Sequence, residues 1–453
     1  MLKNITPKLT ITAVLFTYLF TPFISQAGVF NPNHIISDYE FTDYKSMTFD
    51  DIYNFLKKKN SYLARFVDPQ SRMLAAQIIY DNSQLYRINP KVLLVTLQKE
   101  QSLITDPNPD QDQLDWATGY GICDSCSKKD PKLQKYKGFT NQVDYAASAF
   151  RLFYNNPYKY GFSVGKTYTI DGQRVTVANR ATHALYVYTP HIQGNRNFYK
   201  IWQDWFTQNY PDGSILQNIS TGGIYLIQNG TKRPFTSKAA FLSRYSFDKV
   251  IKVSPETLDS YPDGVPIKYA QYSLVRSPRG TVYLIVDDMK RGIASREVFR
   301  KIGFNPEEII DLPQEEIDSI PEGQPITIKS IYPMGALLQD KTTGGVWYVK
   351  DGVKHPIWSK ELMNANFPNY RIIPTDPEEL DQYTKGSPVK FKDGEIVKSR
   401  TKPTVYFISN GYKRPIASAK DFEKLGFKWE NIITTDDKSL SLHPTGEVLR
   451  AEN

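Results

Sequence analysis

After Tyr210 the chain repeats itself, and an internal repeat limits the possible folds more than any other feature of this sequence. The stretch from Ile224 to Phe235 recurs without gaps as Val282 to Ile293, Val346 to Ile357 and Val405 to Ile416. Each copy has three or four apolar or aromatic residues. A pair follows (Asn229-Gly230, Asp287-Asp288, Asp351-Gly352 or Asn410-Gly411), and then a Lys with Arg or His. Asn-Gly and Asp-Gly tolerate the positive φ of a two-residue hairpin turn, so each copy predicts two short antiparallel strands. A Ser comes next each time (Ser237, Ser295, Ser359, Ser418), placed to cap a short helix. Val250-Ile251, Ile309-Ile310, Ile372-Ile373 and Ile432-Ile433 then predict a third strand, and turns at Gly264, Gly323, Gly386 and Gly446 close the units. An extra turn, Tyr210-Pro211-Asp212-Gly213, marks the start of the array. The copies begin 58, 64 and 59 residues apart. That period suits a unit of about four short strands and a helix, stacked or set in a propeller-like ring.

The expected architecture is therefore α+β and multidomain. Residues 28–209 read as a mostly α-helical domain, and four repeats follow at about 210–260, 261–319, 320–382 and 383–453. In the helical part, Asp68-Pro69 predicts a helix start running to Tyr86, and Asn89-Pro90 predicts a capped helix with Pro at its first position. Further helices are expected from Asn141 to Tyr154, Val177 to Tyr186 and Asn197 to Phe206.

The N-terminus sets the compartment. Lys3 and Lys8 precede a mostly apolar run from Leu9 to Ile24, and Ser25-Gln26-Ala27 offers the small residues that a signal peptidase reads. About 16 apolar residues fall short of the ~20 that cross a bilayer. Residues 1–27 thus read as a cleaved signal, leaving no stable membrane span and an extracytoplasmic protein, secreted or attached to the cell surface. With only 2 Cys and 5 His in the chain, no metal site and no cofactor are expected. In an exported chain, Cys123-Asp124-Ser125-Cys126 reads as a local disulfide before a redox motif. A net charge of +8 is modest for 453 residues and argues against nucleic acid as a partner.

The helix after Asn89-Pro90 carries the candidate chemistry. Val92, Leu93, Leu94, Val95 and Leu97 leave it no polar face, yet it runs into Lys99-Glu100-Gln101-Ser102. A carboxyl at the end of a buried helix is either desolvated, and so kept protonated for use as a general acid, or paired with a Lys at an exposed helix end.

Asn89-Pro90, Leu93-Leu94, Glu100 ten residues after the Pro, Ser102, and then Ala117-Thr118-Gly119-Tyr120-Gly121 resemble the lysozyme-like superfamily of lytic transglycosylases and goose-type lysozymes. The resemblance covers about residues 47–206. Gln142 to Leu152 resembles that family's following helix, and Ala184 to Pro190 its segment whose Tyr points at the Glu. Three positions depart from the pattern. Gln101 separates Glu100 from Ser102, Ile122-Cys123 stands where the family has Gln, and Val187 stands where Asn is usual.

The resemblance implies a lysozyme-like fold acting on peptidoglycan or a related wall glycan. Glu100 would be the general acid and base, with Ser102, Trp116, Gly119, Tyr120, Tyr186 and Tyr188 lining the sugar groove. Glu100 would protonate the oxygen between N-acetylmuramic acid and N-acetylglucosamine. Attack by the sugar's own hydroxyl leaves an anhydro-muramic end, and attack by water makes the enzyme a lysozyme. An inverting hydrolase needs a second carboxylate. Asp106, Asp110, Asp112, Asp115 and Asp124 follow Glu100, with Asp115 foremost because it adjoins Trp116. The alternatives are a catalytically inactive adhesin or wall-binding protein and an endo-N-acetylglucosaminidase. In the repeats, Lys232-Arg233, Lys290-Arg291, Lys354-His355 and Lys413-Arg414 read either as a basic stripe touching wall polymers or as solvated strand edges. His183 and His191 read as polar surface or groove residues.

Overall fold

Side-chain caps start several of the helices of the first half. In the computed structural model, which describes residues 30–122 and 127–451, Ser37 accepts the Glu40 N–H to open α1 (Asp38–Thr42). The expected export signal, residues 1–27, and the pair Cys123/Cys126 lie outside the described residues. Thr48 and Asp51 cap each other's backbone at α2 (Phe49–Lys58). The next helix, α3 (Ala75–Tyr86), starts later than Asp68-Pro69 predicts. Asp68 accepts the Ser71 N–H instead, closing a turn in which Arg72 has φ of 64°. Asn89 caps α4 (Pro90–Gln101) with Pro90 at its first turn, as predicted. A short α5 (Gln111–Asp115) precedes α6 (Phe139–Asn155).

A hairpin of β1 (Thr167–Ile170) and β2 (Gln173–Thr176) interrupts the helices. The helix expected from Val177 begins only at Arg180, where Asn179 accepts the Thr182 N–H to open α7 (Arg180–Tyr188). The last helix, α8 (Ile192–Phe206), starts before the predicted Asn197. Helix α4 packs against α3, α6 and α8, and its residues Val92 to Leu97 join one core with Phe41, Phe150, Tyr186 and Trp202. Each fully buried Leu or Val there contributes roughly 1.5–3 kcal/mol.

The second half is rich in sheet. In the first unit β3 (Ile215–Asn218), β4 (Ile224–Gln228) and β5 (Thr231–Pro234) run antiparallel, and β6 (Val250–Val253) lies parallel to β3, giving the order β6-β3-β4-β5. The same core order recurs in the other three sheets. Both residues of every hairpin turn have positive φ, as the Asn-Gly and Asp-Gly pairs predict. All four predicted Ser caps form, on Ala240, Val298, Leu362 and Asp421.

Two readings change. The closing turn runs back along its own hairpin: Phe235 bridges Ile267, Ile293 bridges Ile326, Val353 pairs with Thr384, and Ile416 bridges Leu449. Residues 261–267 therefore complete the first unit, and the boundaries near 260, 319 and 382 move past these segments. The basic pairs are neither stripe nor solvated edge. The ammonium groups of Lys232, Lys290, Lys354 and Lys413 donate to the carbonyls of Leu258, Ile317, Leu380 and Leu440, at the ends of the units' second short helices. Arg233, Arg291, His355 and Arg414 bond the carbonyls of Val265, Gln324, Ser387 and Glu447 in the closing segments. These repeated Lys and Arg or His side chains clamp each unit shut, the Lys bonds adding to the backbone N–H that each helix-end carbonyl already accepts.

The units form a ring. Arg233 and Arg244 of the first pair with Asp288 of the second, and Arg291 of the second pairs with Asp351 of the third. Leu362 of the third packs with Phe391 and Val397 of the fourth. The fourth returns to the first through a shared core of Leu216, Ile227 and Ile251 with Phe407, Phe422 and Leu425, together with the ion pair Lys249–Glu395 at 2.6 Å. Among the described residues no helix is long and apolar enough to cross a membrane.

Ring closure generates a prediction. A Cβ on Gly213, whose φ is +94°, would overlap the backbone of Gly394 across the seam between the first and fourth units. Gly213→Ala should therefore cost roughly 1–3 kcal/mol or more. Gly230→Ala, in a hairpin turn with open space around it, should cost only about 1 kcal/mol for its positive φ. Urea unfolding of the two variants measures the difference, and equal losses would contradict a closed seam.

Candidate functional site

Glu100 stands in the last turn of α4, where the buried helix reaches the edge of its core. Its side chain is 28% exposed, and Oε1 lies 2.7 Å from the Lys99 ammonium, itself only 7% exposed. The desolvation expected there is partial, and the carboxylate has a cation partner. Lys99 is held in turn by Thr189, to which it donates at 2.6 Å.

The other carboxylate oxygen faces Gly119: a Cβ on that residue would meet Oε2 at 3.3 Å. Gly119 has φ of +67°, which a side chain would strain, so the position is kept open by backbone conformation and by contact. Tyr188 completes this corner. Its hydroxyl donates to the Thr118 carbonyl at 2.8 Å, its ring stacks on Phe150 at 4.4 Å, and the Lys99 ammonium lies 6.0 Å from its centre. Burial, with the nearby Glu100 charge, pushes the Tyr188 phenol well above its ordinary range.

One residue fixes the loop that carries Gly119. Gln142 in α6 is fully buried, and its side-chain oxygen accepts from the Thr118 N–H, the Thr118 hydroxyl and the Tyr120 N–H. Its amide nitrogen donates to the Tyr120 and Tyr136 carbonyls at 3.0 and 2.8 Å. Five bonds from one amide hold the loop between Thr118 and Tyr120 opposite Glu100. Gln142 was legible only as part of a helix, although an uncharged polar residue beside Val143 on an apolar face is a signal of this role. Tyr120 stacks on Tyr145 at 5.6 Å, and Tyr136 meets both edge-on. All three rings are partly exposed, and they form an aromatic wall beside the loop of Gly119 and Gly121. Burial, and after it Tyr136 and Tyr145, raises the Tyr120 phenol.

Other expected members are elsewhere. Trp116 and Tyr186 are 2% and 0% exposed, so the apolar core has claimed both rings and neither face can meet a sugar. The Tyr186 hydroxyl donates to the Pro32 carbonyl. Ser102 lies at the helix end, exposed and left-handed. Asp115 pairs with Lys137 at 3.3 Å, accepts from Gln111, and opens into a separate depression of about 320 Å³ lined by Phe66, Gln70 and Asn141. Asp110 caps α5, Asp112 pairs with Lys128, and Asp106 accepts from Asn108 and Gln113. Asp124 lies outside the described residues. Among the described residues none of these carboxylates shares a partner with Glu100. His183 is buried, against expectation, its Nδ1 3.0 Å from the Phe162 carbonyl, and burial lowers its pKa. His191 is exposed beside Asp171 at 3.0 Å.

Residues 34–218 match a family model described as LasA, N-terminal domain, which covers less than half of the chain. Protein CgeD of Bacillus subtilis (strain 168) is 25% identical over 195 residues, 41% of this chain and 44% of that protein. The chain thus spans less than half the length of that relative. Among solved structures, the periplasmic assembly from the ESX-5 inner membrane complex and the EccB3 dimer from the ESX-3 core complex each align with 52% of this chain. They align over 94% and 98% of their own chains, at 12% identity and TM-scores of 0.14 and 0.15. Overlaps of that size constrain neither fold nor function.

The geometry predicts that Gln142→Leu, which keeps the volume and removes all five bonds, strands a buried backbone group at Thr118 and half-buried ones at Tyr120 and Tyr136. The loss should be about 2–4 kcal/mol. Denaturant unfolding checks the magnitude. Unchanged amide exchange at Thr118 and Tyr120 in the variant would show that Gln142 does not hold the loop.

Proposed function

We propose that residues 28–209 are a lysozyme-like domain that cleaves the glycan strand of peptidoglycan outside the cytoplasm, and that the ring of repeats holds it at the cell surface. The observation that carries this reading is the corner made by Glu100 and Gly119. A carboxylate at the end of a buried helix has one oxygen bound by Lys99 and the other facing a side-chain-free backbone position beside an aromatic wall. In this reading Oε2 is the working oxygen. It gives a proton to the glycosidic oxygen and takes one back from the incoming hydroxyl, while Lys99 and Thr189 fix the orientation of the carboxyl. Tyr120, Tyr136 and Tyr145 supply ring faces for sugars, the role first expected of Trp116 and Tyr186. With Asp115 engaged elsewhere, the arrangement fits a reaction run on one carboxylate, using the substrate's own acetamido group or hydroxyl, better than an inverting hydrolysis.

The Lys99–Glu100 pair also favours a second reading, a wall-binding protein whose carboxylate is occupied and idle. The same glycan would bind and no bond would break.

Purified sacculi incubated with the mature protein and with Glu100→Gln separate the two. The cleavage reading predicts muropeptides from the wild type and a loss of about 10²–10⁴-fold in the variant. Mass spectrometry of the ends then assigns the reaction: anhydro-muramic for a transglycosylase, reducing muramic acid for a lysozyme, reducing N-acetylglucosamine for the endo-glucosaminidase. Wild type and variant that both sediment with sacculi and release nothing would overturn the cleavage reading.

A further inference from the structure

The helical domain and the ring meet at a buried carboxyl. Glu256 stands in the first turn of a short helix, Pro255–Asp259, in the first repeat and is 3% exposed. One of its oxygens accepts the Ser37 N–H, and the other accepts the Ser37 hydroxyl at 3.0 Å. Ser37 belongs to the other domain, where it caps α1. The charged or titratable groups facing Glu256 across the junction are Glu40 from α1 and Tyr199 from α8. On its own helix lies Asp259, which faces Lys232, His34 and Asp263. Among the described residues no cation forms an ion pair with Glu256, and the charge that acts most on it is Glu40. A buried carboxylate beside a second carboxylate, with no positive partner, is an arrangement that favours the protonated form.

The seam has a second polar contact of the opposite kind. Asp51 in α2 accepts from Lys420 of the fourth repeat at 2.9 Å, with Lys424 at 3.7 Å. Against the desolvation that would raise it, the Lys420 bond and the Thr48 cap hold the Asp51 carboxyl at about 2. That contact keeps its charges near neutrality, whereas burial raises the carboxyls of Glu256 and, on the same helix, Asp259.

The junction also touches the helix that carries Glu100. Asn89, the cap of α4, donates its backbone N–H to the Phe41 carbonyl at 3.0 Å and its side chain to the Glu40 carbonyl at 2.7 Å. Contacts therefore run from Glu256 through Ser37 and α1 to Asn89 and α4.

We propose that this junction is a proton-operated latch: ring and helical domain are docked while Glu256 keeps its proton, and the seam loosens when the proton is lost. Burial first, and then the charge of Glu40, pushes the docked carboxyl from 4.5 to about 7, against the Ser37 bonds that lower it. The sign follows from linkage. The docked form binds the proton more tightly than the separated form, so docking is strongest below about 4.5 and is lost as pH rises through about 7. The full change is on the order of 100-fold in the docking equilibrium. The inference does not depend on whether the domain cleaves glycan.

Hydrogen exchange and small-angle scattering of the mature chain at pH 6 and pH 8.5 test it. After correction for intrinsic exchange, the amides of α1 should lose protection by about 10–100-fold at the higher pH, and the radius of gyration should rise. Glu256→Gln, neutral at both values, should stay docked at both, with near-ultraviolet circular dichroism at pH 6 checking that it is folded. Glu40→Gln should loosen less than the wild type and carries the test should Glu256→Gln not fold. Wild-type protection and radius that are the same at both pH values would overturn the latch, as would a Glu256→Gln or Glu40→Gln protein that loosens as the wild type does.

Discussion

A helix with no polar face has to be surrounded, and α4 is the constraint on which the first half of this structure depends. Its residues from Val92 to Leu97 are covered by α3, α6 and α8. Its N-terminus is fixed by Asn89 to α1, and its C-terminus emerges at Glu100. Because the helix is held along its length, the place where its carboxyl surfaces is set by the core and not by the loops around it. The chemistry at that point is then decided by a few neighbours. Lys99 takes one oxygen, Gly119 leaves the other open, and Gln142 holds the loop that carries Gly119.

The second half is governed by a different economy, repetition of one small solution. Each unit is too small to bury both faces of its sheet, so neighbours share their apolar residues and the first unit shares a core with the fourth. Within each unit a Lys and an Arg or His, which look like a basic surface in the sequence, satisfy helix ends and closing-strand carbonyls. The conserved-looking pattern of the repeats is therefore a pattern of internal bonding, and what the ring recognises has to be sought on other side chains.

Much of this was legible in the sequence, for physical reasons that can be named. Hairpin turns and helix caps are local: Asn229-Gly230 needs positive φ and Ser237 needs an N–H three residues away, whatever surrounds them. Pro90 after Asn89 is local in the same way. The failures are tertiary. Asp68-Pro69 has the grammar of a helix start, but Asp68 bonds Ser71 and closes a turn. Trp116 and Tyr186 have the chemistry of sugar-stacking residues, but the core takes their faces. Asp115 adjoins the right segment and opens onto the wrong side. Gln142, Tyr136 and Tyr145 could not be assigned to the candidate site because no spacing tells that α6 lies under the loop after Trp116. The ring had the same difficulty: a period of about sixty residues fits a stack or a closed array, and the contacts between the first and fourth units, the shared core and the approach of Gly213 to Gly394 among them, decide it.

The central claim is that the corner between Glu100 and Gly119 receives a glycan strand. It is tested most directly by a structure of the Glu100→Gln protein with a short muropeptide-derived saccharide. The account predicts a glycosidic oxygen within hydrogen-bond reach of the residue 100 side chain, with sugar rings against Tyr120, Tyr136 and Tyr145. A saccharide bound only on the ring of repeats, or only in the depression beside Asp115, would contradict it.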